Sequence, residues 1–372
     1  MGKTKVSDII GLMEEWAPKK FAYDWDPVGL QIGRPDAEIS SVLVTLDVTE
    51  EVVNEAEEKG AGLIIAHHPP IFSPMKSVRT DTVQGRLVEA CLRRGISVFA
   101  AHTNLDVAPG GVNDMLAEQL GIKETSVLTE TYVEPLYKLA VYTPHDSVEK
   151  VREALGKAGA GAIGDYVNCT YEIEGTGRFT PSGGADPYIG EVGKPEAVEE
   201  TKIEVVLTAS IRSRVERAMI KAHPYEEPAY DFFVLDQRLE EYGIGRIGRL
   251  ERPMTLDEFA KHVKERLDVP ALRIVDGGCA EIRTVAVLGG SGGKYAADAA
   301  ARGADAFVTG DMDYHTAQDT AALGLSVIDP GHHIERIMVG GVAGHLRKAA
   351  AERGLDCTFE ESEIITEPFR FV

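Results

Sequence analysis

Cysteine is scarce in this 372-residue chain. The four, at Cys91, Cys169, Cys279 and Cys357, are widely spaced and form no CxxC pair. That excludes a disulfide framework and a cysteine-built structural zinc site, and it fits a reduced, cytoplasmic setting. Long apolar runs are missing too. Glu14 and Glu15 interrupt the first stretch where a signal-peptide core would lie, and no run approaches the ~20 apolar residues of a spanning helix. Val6 stands where an N-myristoylation pattern needs Ser or Thr. Basic residues are outnumbered, 39 Lys and Arg against 60 Asp and Glu, for a formal net charge of −21. Such a chain is disfavoured on phosphate backbones and on anionic membranes, because both need clustered Lys and Arg. Apolar residues make up 44%, too many for a disordered chain, and the length suggests two or three domains.

Three zones separate by pattern. In the first, Val42–Val48, Gly62–Ala66 and Ile96–Ala101 read as strands. Helical patterns at Glu50–Lys59 and Asp81–Arg94 lie between them, the second stopped by Gly95. Strands alternating with helices predict a parallel sheet covered on its faces. The last zone repeats the rhythm. Strands Val285–Leu288, Asp305–Thr309 and Leu325–Asp329 are separated by helices Lys294–Arg302 and Ala317–Leu323, and an apolar helix runs to about Arg353. The middle zone differs. Leu136–Thr143, Lys202–Leu207 and Asp231–Leu235 are strand-like, Val148–Lys157 and Ile211–His223 are helical, and Tyr166–Ile173 and Thr176–Thr180 are expected to pair around Glu174–Gly175. The order β-α-β-β-α-β is ferredoxin-like. The expected fold is therefore α/β. Two similar halves with mainly parallel strands, residues 1–128 and 244–372, flank an inserted α+β domain, residues 129–243. Three independent domains in a row are the alternative.

Polar residues collect at the ends of predicted strands. His67 and His68 follow GLIIA. His102, Thr103, Asn104 and Asp106 follow ISVFAA. His332, His333 and Glu335 follow LSVID. Ligands of open parallel sheets gather beyond the carboxyl ends of the strands. Alone, each tail is more simply a cap or a turn. Together they form a mixed nitrogen and oxygen donor set suited to Zn, Mn, Fe, Co or Ni. Three imidazoles and two carboxylates exceed what one open zinc site needs, whereas two ions sharing a carboxylate use them all.

The segments WDPVGLQIG (Trp25–Gly33), LIIAHHPPIF (Leu63–Phe72), AHTNLDVAPGGVND (Ala101–Asp114), FVTGDMDYH (Phe307–His315) and DPGHHIERIM (Asp329–Met338) resemble the signature segments of the GTP cyclohydrolase 1 type 2 homologue family, the NIF-three-like proteins. AHPYEEPAYD (Ala222–Asp231) resembles the extra PII/CutA-like domain of the longer bacterial members. The resemblance implies a toroidal homohexamer and two divalent ions per subunit, zinc first and Fe, Mn, Ni or Co after it. It implies His67, His68, Asp106, His332 and Glu335 as ligands, with His332 preferred to His333. The family pattern is broken at Pro27, where many members have Asn.

A bound divalent ion lowers the pKa of its water from 15.7 towards ~7, which makes hydrolysis by a metal-bound hydroxide the default reaction class. The family name implies attack on the imidazole ring of GTP with loss of formate, and the same donor set suits a nucleotide phosphoester. A metal-binding regulatory or adaptor protein without turnover is the alternative. His102, Asp311 and His315 are candidates for proton transfer or for orienting a ligand. For Asp311 a helix cap, and for His315 a hydrogen bond to a ligand carboxylate, are the competing structural roles.

GGSGG (Gly289–Gly293) sits at a strand end and is read either as an amide cradle for phosphate or as a tight turn. Lys294 is followed by Tyr295, so it is no Walker motif. GIGRIG (Gly243–Gly248) is read as a chance match to a dinucleotide motif. His223, Tyr225, Glu226, Glu227 and Tyr230 are read as a strand-entry turn that packs the inserted domain, with a gating surface as the rival.

Overall fold

The computed structural model describes residues 3–237 and 241–372. Gly2, on which the acylation reading rests, lies outside them. The chain divides into one unit of Met1–Tyr132 with Tyr242–Val372 and a second of Val133–Glu241. No helix of the described residues is long and apolar enough to cross a membrane.

The first unit holds two sheets. One has the order Gly29–Ile32, Ser97–Ala100, Leu63–Ala66, Ser41–Thr45, Thr358–Glu361. Its inner strands are wholly buried, which is why they read as continuous apolar runs rather than alternating ones. Alternation still divides their residues between faces. Leu43, Ile64 and Val98 pack under helices Glu50–Glu58 and Val83–Arg94, whereas Val42, Val44, Leu63, Ile65 and Phe99 enter the main core. Thr49 caps the first helix by accepting from Val52 N–H, and Gly95 ends the second with φ of 68°.

The other sheet runs Arg273–Val275, Ser326–Asp329, Ala306–Gly310, Ile282–Ser291, Glu241–Met254, Ile122–Val133. Its Ile282–Ser291, Ala306–Gly310 and Ser326–Asp329 are parallel neighbours in that order. Three expected strands thus lie side by side in each sheet. Two features go beyond the expected pattern. Antiparallel strands Gly29–Ile32, Arg273–Val275 and Glu241–Met254 extend the parallel sets. The late strand Thr358–Glu361 crosses back to pair in parallel with Ser41–Thr45. The halves are therefore interlocked, and helix Ile337–Arg353, which precedes that strand, is built into the main core through Met338, Val342 and Leu346.

The second unit is a four-stranded antiparallel sheet, ordered Thr170–Phe179, Glu196–Thr208, Leu136–Pro144, Tyr230–Leu235. Helices Val148–Lys157 and Arg212–Ala222 bury Val151, Leu155, Val215 and Met219 against Leu139, Val141, Ile203 and Val205. The chain order is β-α-β-β-α-β. The turn expected at Glu174–Gly175 is absent, for Thr170–Phe179 continues straight through it in register with Val205–Glu196. Gly177 marks a close approach instead: a Cβ there would lie 2.1 Å from Glu200 Oε2. The reversal falls in the Gly- and Pro-containing segment between the two strands.

Candidate metal centre

The strand-end tails converge in the first unit. His67 and His68 continue the line of Leu63–Ala66, their amides bonded to Thr45 O and Leu46 O. His102 follows Ser97–Ala100 and Ala101, and the short helix Thr103–Val107 carries Asp106. From the other sheet, Ser326–Asp329 leads through Gly331, at φ of 89°, into the 3₁₀ turn His332–Arg336. Side chains three apart eclipse on such a turn, which aligns His332 with Glu335.

The four imidazoles share one arrangement. His67 Nδ1 lies 2.8 Å from Ala101 O, His68 Nδ1 2.7 Å from Asp47 Oδ1, His102 Nδ1 3.0 Å from Asp26 Oδ1, and His332 Nδ1 2.7 Å from Asp311 Oδ2. A carbonyl or carboxylate oxygen only accepts, so each Nδ1 carries a proton, and whenever one of these rings is neutral its lone pair lies on Nε2. Those Nε2 atoms meet other acceptors. His67 Nε2 stands 3.7 Å from both Asp106 Oδ1 and Glu335 Oε1. His68 Nε2 is 3.0 Å from Glu335 Oε2 and 3.3 Å from His332 Nε2, which is itself 3.1 Å from the same oxygen. His67 Nε2 and Asp106 Oδ1 are buried with no hydrogen-bond partner. Leaving such groups unpaired costs about 1–3 kcal/mol each, so lone pairs facing lone pairs fit a cation between them.

Three overlapping donor sets each fall within 4.8 Å: His67, His68 and His102; His68, His332 and Glu335; His67, Asp106 and Glu335. Histidine ligands commonly donate their other N–H to a carboxylate or backbone carbonyl, as all four do here.

The protein field is strong at this point. Burial pulls His68 down, but hydrogen bonds to Asp47 and Glu335 outweigh it and hold the ring up at about 10. His332 is raised to about 9, chiefly by Glu335. Burial, reinforced by repulsion from Glu335, lifts Asp106 to about 8. Glu335 is buried as well, yet the surrounding imidazoles keep it well below the carboxylate range. Asp26 and Asp47 are lowered against burial by His102 and His68, with help from Thr103 and Thr366.

Of the residues singled out in the sequence, His67, His68, Asp106, His332 and Glu335 come together. His102 joins them with its ring edge-on to His67 and His68. Asp311 orients His332 from a left-handed backbone at φ of 53°, which an Asp tolerates better than most residues. His315 is not brought to the cluster: it is exposed on helix Tyr314–Ala322, its ring edge-on to Tyr314. His333 Nε2 is buried without a partner, and the residue lines a separate cavity with Pro330, Ile334 and Glu367.

The GGSGG segment makes the tight turn from strand Ile282–Ser291 into the 3₁₀ turn Gly293–Tyr295. Gly289 N–H donates to Asn113 Oδ1 and Gly292 N–H to Thr309 Oγ1, and the missing side chains make room for Glu335 and His332. GIGRIG is an interior part of strand Glu241–Met254, as expected of a chance match. Sequence reasoning passed over Asp26 and Asp47, which set two of the rings. For Asp47 the available signal was the strand-end rule itself, since Asp47 lies two residues past Ser41–Thr45 just as His68 lies two past Leu63–Ala66.

An aromatic rim borders the centre. Trp25 is 54% exposed and Phe72 55%. Trp25 stacks on Tyr23 at 5.6 Å and meets the His102 ring edge-on at 6.3 Å. Lys294 Nζ sits 5.4 Å from the Tyr23 ring and 4.9 Å from that of Tyr295. No described carboxylate pairs with it, a notable state for a lysine in so acidic a chain.

The family model Duf34/NIF3 (NGG1p interacting factor 3) matches residues 4–368. A Halalkalibacterium halodurans protein named GTP cyclohydrolase 1 type 2 homolog is 50% identical over 364 residues, covering 98% of each chain. The Bacillus subtilis protein of the same name is 51% identical over the same length, again with 98% of each covered. The crystal structure of a Bacillus cereus protein related to NIF3 superposes over 100% of both chains, with a TM-score of 0.91 and 47% identity.

Proposed function

The chain belongs to the Duf34/NIF3 family, and from that premise we propose that it is a hydrolase dependent on two divalent metal ions, acting on a nucleotide or a related aromatic phosphoester. The observation that carries this reading is the inward set of Nε2 lone pairs beside Asp106 and Glu335. His67, Asp106 and Glu335 would hold one ion, and His68, His332 and Glu335 the other. When bound, such ions act as Lewis acids and lower the pKa of coordinated water, which is the chemistry of hydrolysis at neutral pH.

The chain's own groups supply the rest. His102, fixed through Nδ1 by Asp26, presents Nε2 to the centre and can take or return a proton there. Trp25 offers an exposed face for stacking a heterocycle, and Lys294 offers a point charge for an anionic group. Such a rim supports a base-bearing phosphate over a peptide or a sugar. The names of the relatives in H. halodurans and B. subtilis make hydrolytic opening of a purine ring the first reaction to try.

The test is a panel of GTP, other nucleotides, phosphodiesters and amides, run with Zn, Mn, Fe, Co and Ni while following formate and phosphate together. Turnover that needs added metal and falls at least tenfold in kcat/KM on Trp25→Ala or Lys294→Ala supports the proposal. Tight binding of two ions with no turnover on the panel would overturn it in favour of a metal-binding regulatory protein. That second reading is favoured by the second unit, which has a core and sheet of its own.

A further inference from the structure

The second unit contains a cavity of about 430 Å³, within the size range of small-molecule sites. Tyr142, Phe179, Tyr188 and Tyr225 contribute to its walls, and Glu200 and Glu226 contribute carboxylates. The ring of Tyr225 packs against those of Phe179 and Tyr188 at centroid distances of 6.2 and 6.1 Å. Glu200 is only 8% exposed, although it is a carboxylate on a four-stranded sheet. One of its oxygens accepts from Tyr225 Oη at 2.9 Å. The other lies where the side chain of residue 177 would be, and only a glycine there leaves it room. A buried carboxylate held this way is costly unless a positive group completes it.

The neighbouring histidine does not complete it. His223 Nε2 faces Tyr142 O, so it carries a proton, and His223 Nδ1 accepts from Tyr225 N–H. With one nitrogen donating and one accepting, the imidazole is neutral. Arg178, the cation of the lining, is exposed and outnumbered by Glu200, Glu226 and Glu227. Aromatic faces carry negative potential, and several around a carboxylate favour a cation with apolar substituents over a strongly hydrated one.

We propose that this cavity binds a small organic cation with an alkylated or quaternary ammonium group, seated among the tyrosines with its charge toward Glu200. All of its lining residues belong to the second unit. Within the cluster singled out in the sequence, His223 packs the turn through Tyr142 O, and Tyr225 lines the cavity.

The experiment compares choline with 3,3-dimethyl-1-butanol, which matches it in shape but lacks the charge. Binding to the full-length, metal-loaded protein is measured by titration calorimetry against a sodium chloride control. Choline should bind saturably at one site per chain, and the alcohol at least about tenfold more weakly. Glu200→Gln keeps an acceptor for Tyr225 but removes the charge, and it should weaken choline by a similar factor while leaving metal content unchanged. Should that variant fail to fold, Tyr188→Ala replaces it, since Tyr188 is 54% exposed; the same loss is expected. Equal binding of choline and the alcohol, wild-type affinity in the folded variant, or no saturable choline binding would each overturn the assignment.

Discussion

A Cβ on Gly290 would lie 2.5 Å from Glu335 Oε1, and 3.1 Å from His332 Nε2. The glycine thus sets how deeply the glutamate can sit between the two halves of the centre. Its φ of 62° adds a second requirement, because a side chain in left-handed backbone costs roughly 1–2 kcal/mol. Gly290→Ala should therefore displace Glu335 and lower the metal bound per chain, with the circular dichroism spectrum intact. Elemental analysis after dialysis against a weak chelator measures it. Wild-type metal content in the folded variant would show that the loop does not position Glu335.

The orienting carboxylates should matter nearly as much as the ligands. Asp47 accepts from His68 Nδ1 and also receives Thr366 Oγ1, near the end of the chain. Asp47→Ala frees the His68 ring to rotate and should weaken metal binding by about 10–100-fold. Asp313→Ala is the matched control. Asp313 only caps helix Tyr314–Ala322, so its loss should weaken that helix start slightly and leave metal affinity alone. Competition with a chromogenic chelator gives both affinities, and equal values for the two variants would refute the orienting role.

Much of this centre was legible because strand ends in a parallel sheet have a fixed meaning. His67, His102 and His332 were found by locating where buried apolar runs stop. The sheet edges were not legible. Gly29–Ile32 is half-buried and short, Arg273–Val275 is mostly exposed, and neither makes an apolar run. Thr358–Glu361 pairs with Ser41–Thr45 across more than three hundred residues, a pairing with no local signature. Glycine misled at Gly175, where the expected turn does not form. Gly177, two residues on, makes room for Glu200, as Gly289 and Gly290 do for Glu335, and that role cannot be told from a turn before the partner is known. Asp47 went unnoticed because it lies inside the expected strand Val42–Val48, and Asp26 because it precedes Gly29–Ile32 rather than ending a strand.

One ion pair, between buried Arg246 and partly exposed Asp114, links the early and late segments of the first unit. Arg246 is 5% exposed and grips Asp114 with Nε and Nη2 at 2.6 and 2.8 Å, while Nη1 donates to Gly243 O and Gly245 O. Removing one partner strands a charge in the interior. Asp114→Ala should cost about 3 kcal/mol, and a compensating Arg246→Met should recover part of that loss. Urea unfolding of the single and double variants measures it. Additive losses would show that the two residues stabilise the unit independently.

The last expectation concerns pH. His68 at about 10 and His332 at about 9 stand above the ordinary histidine value of 6.5. A group whose folded pKa is raised contributes stability that is full below the unfolded value and fades as pH climbs through the folded one. Asp106, raised to about 8, has the same sign, because the folded chain holds its proton longer than the unfolded chain does. Metal-stripped protein should therefore lose stability gently above about pH 4 through Asp106, most steeply between about pH 6.5 and 8 where all three groups contribute, and more gently again up to about pH 10. Glu335 works in the opposite window: its lowered pKa gives stability above the usual glutamate value that fades only in acid. Metal binding needs these imidazoles neutral and Asp106 ionised, so it releases protons and strengthens as pH rises. The gap in Tm between metal-loaded and metal-stripped protein should widen steadily from pH 6.5 to 9. Thermal unfolding of the two forms in matched buffers reads this directly, and a gap that stays constant or narrows over that range would exclude these residues as the metal-binding set.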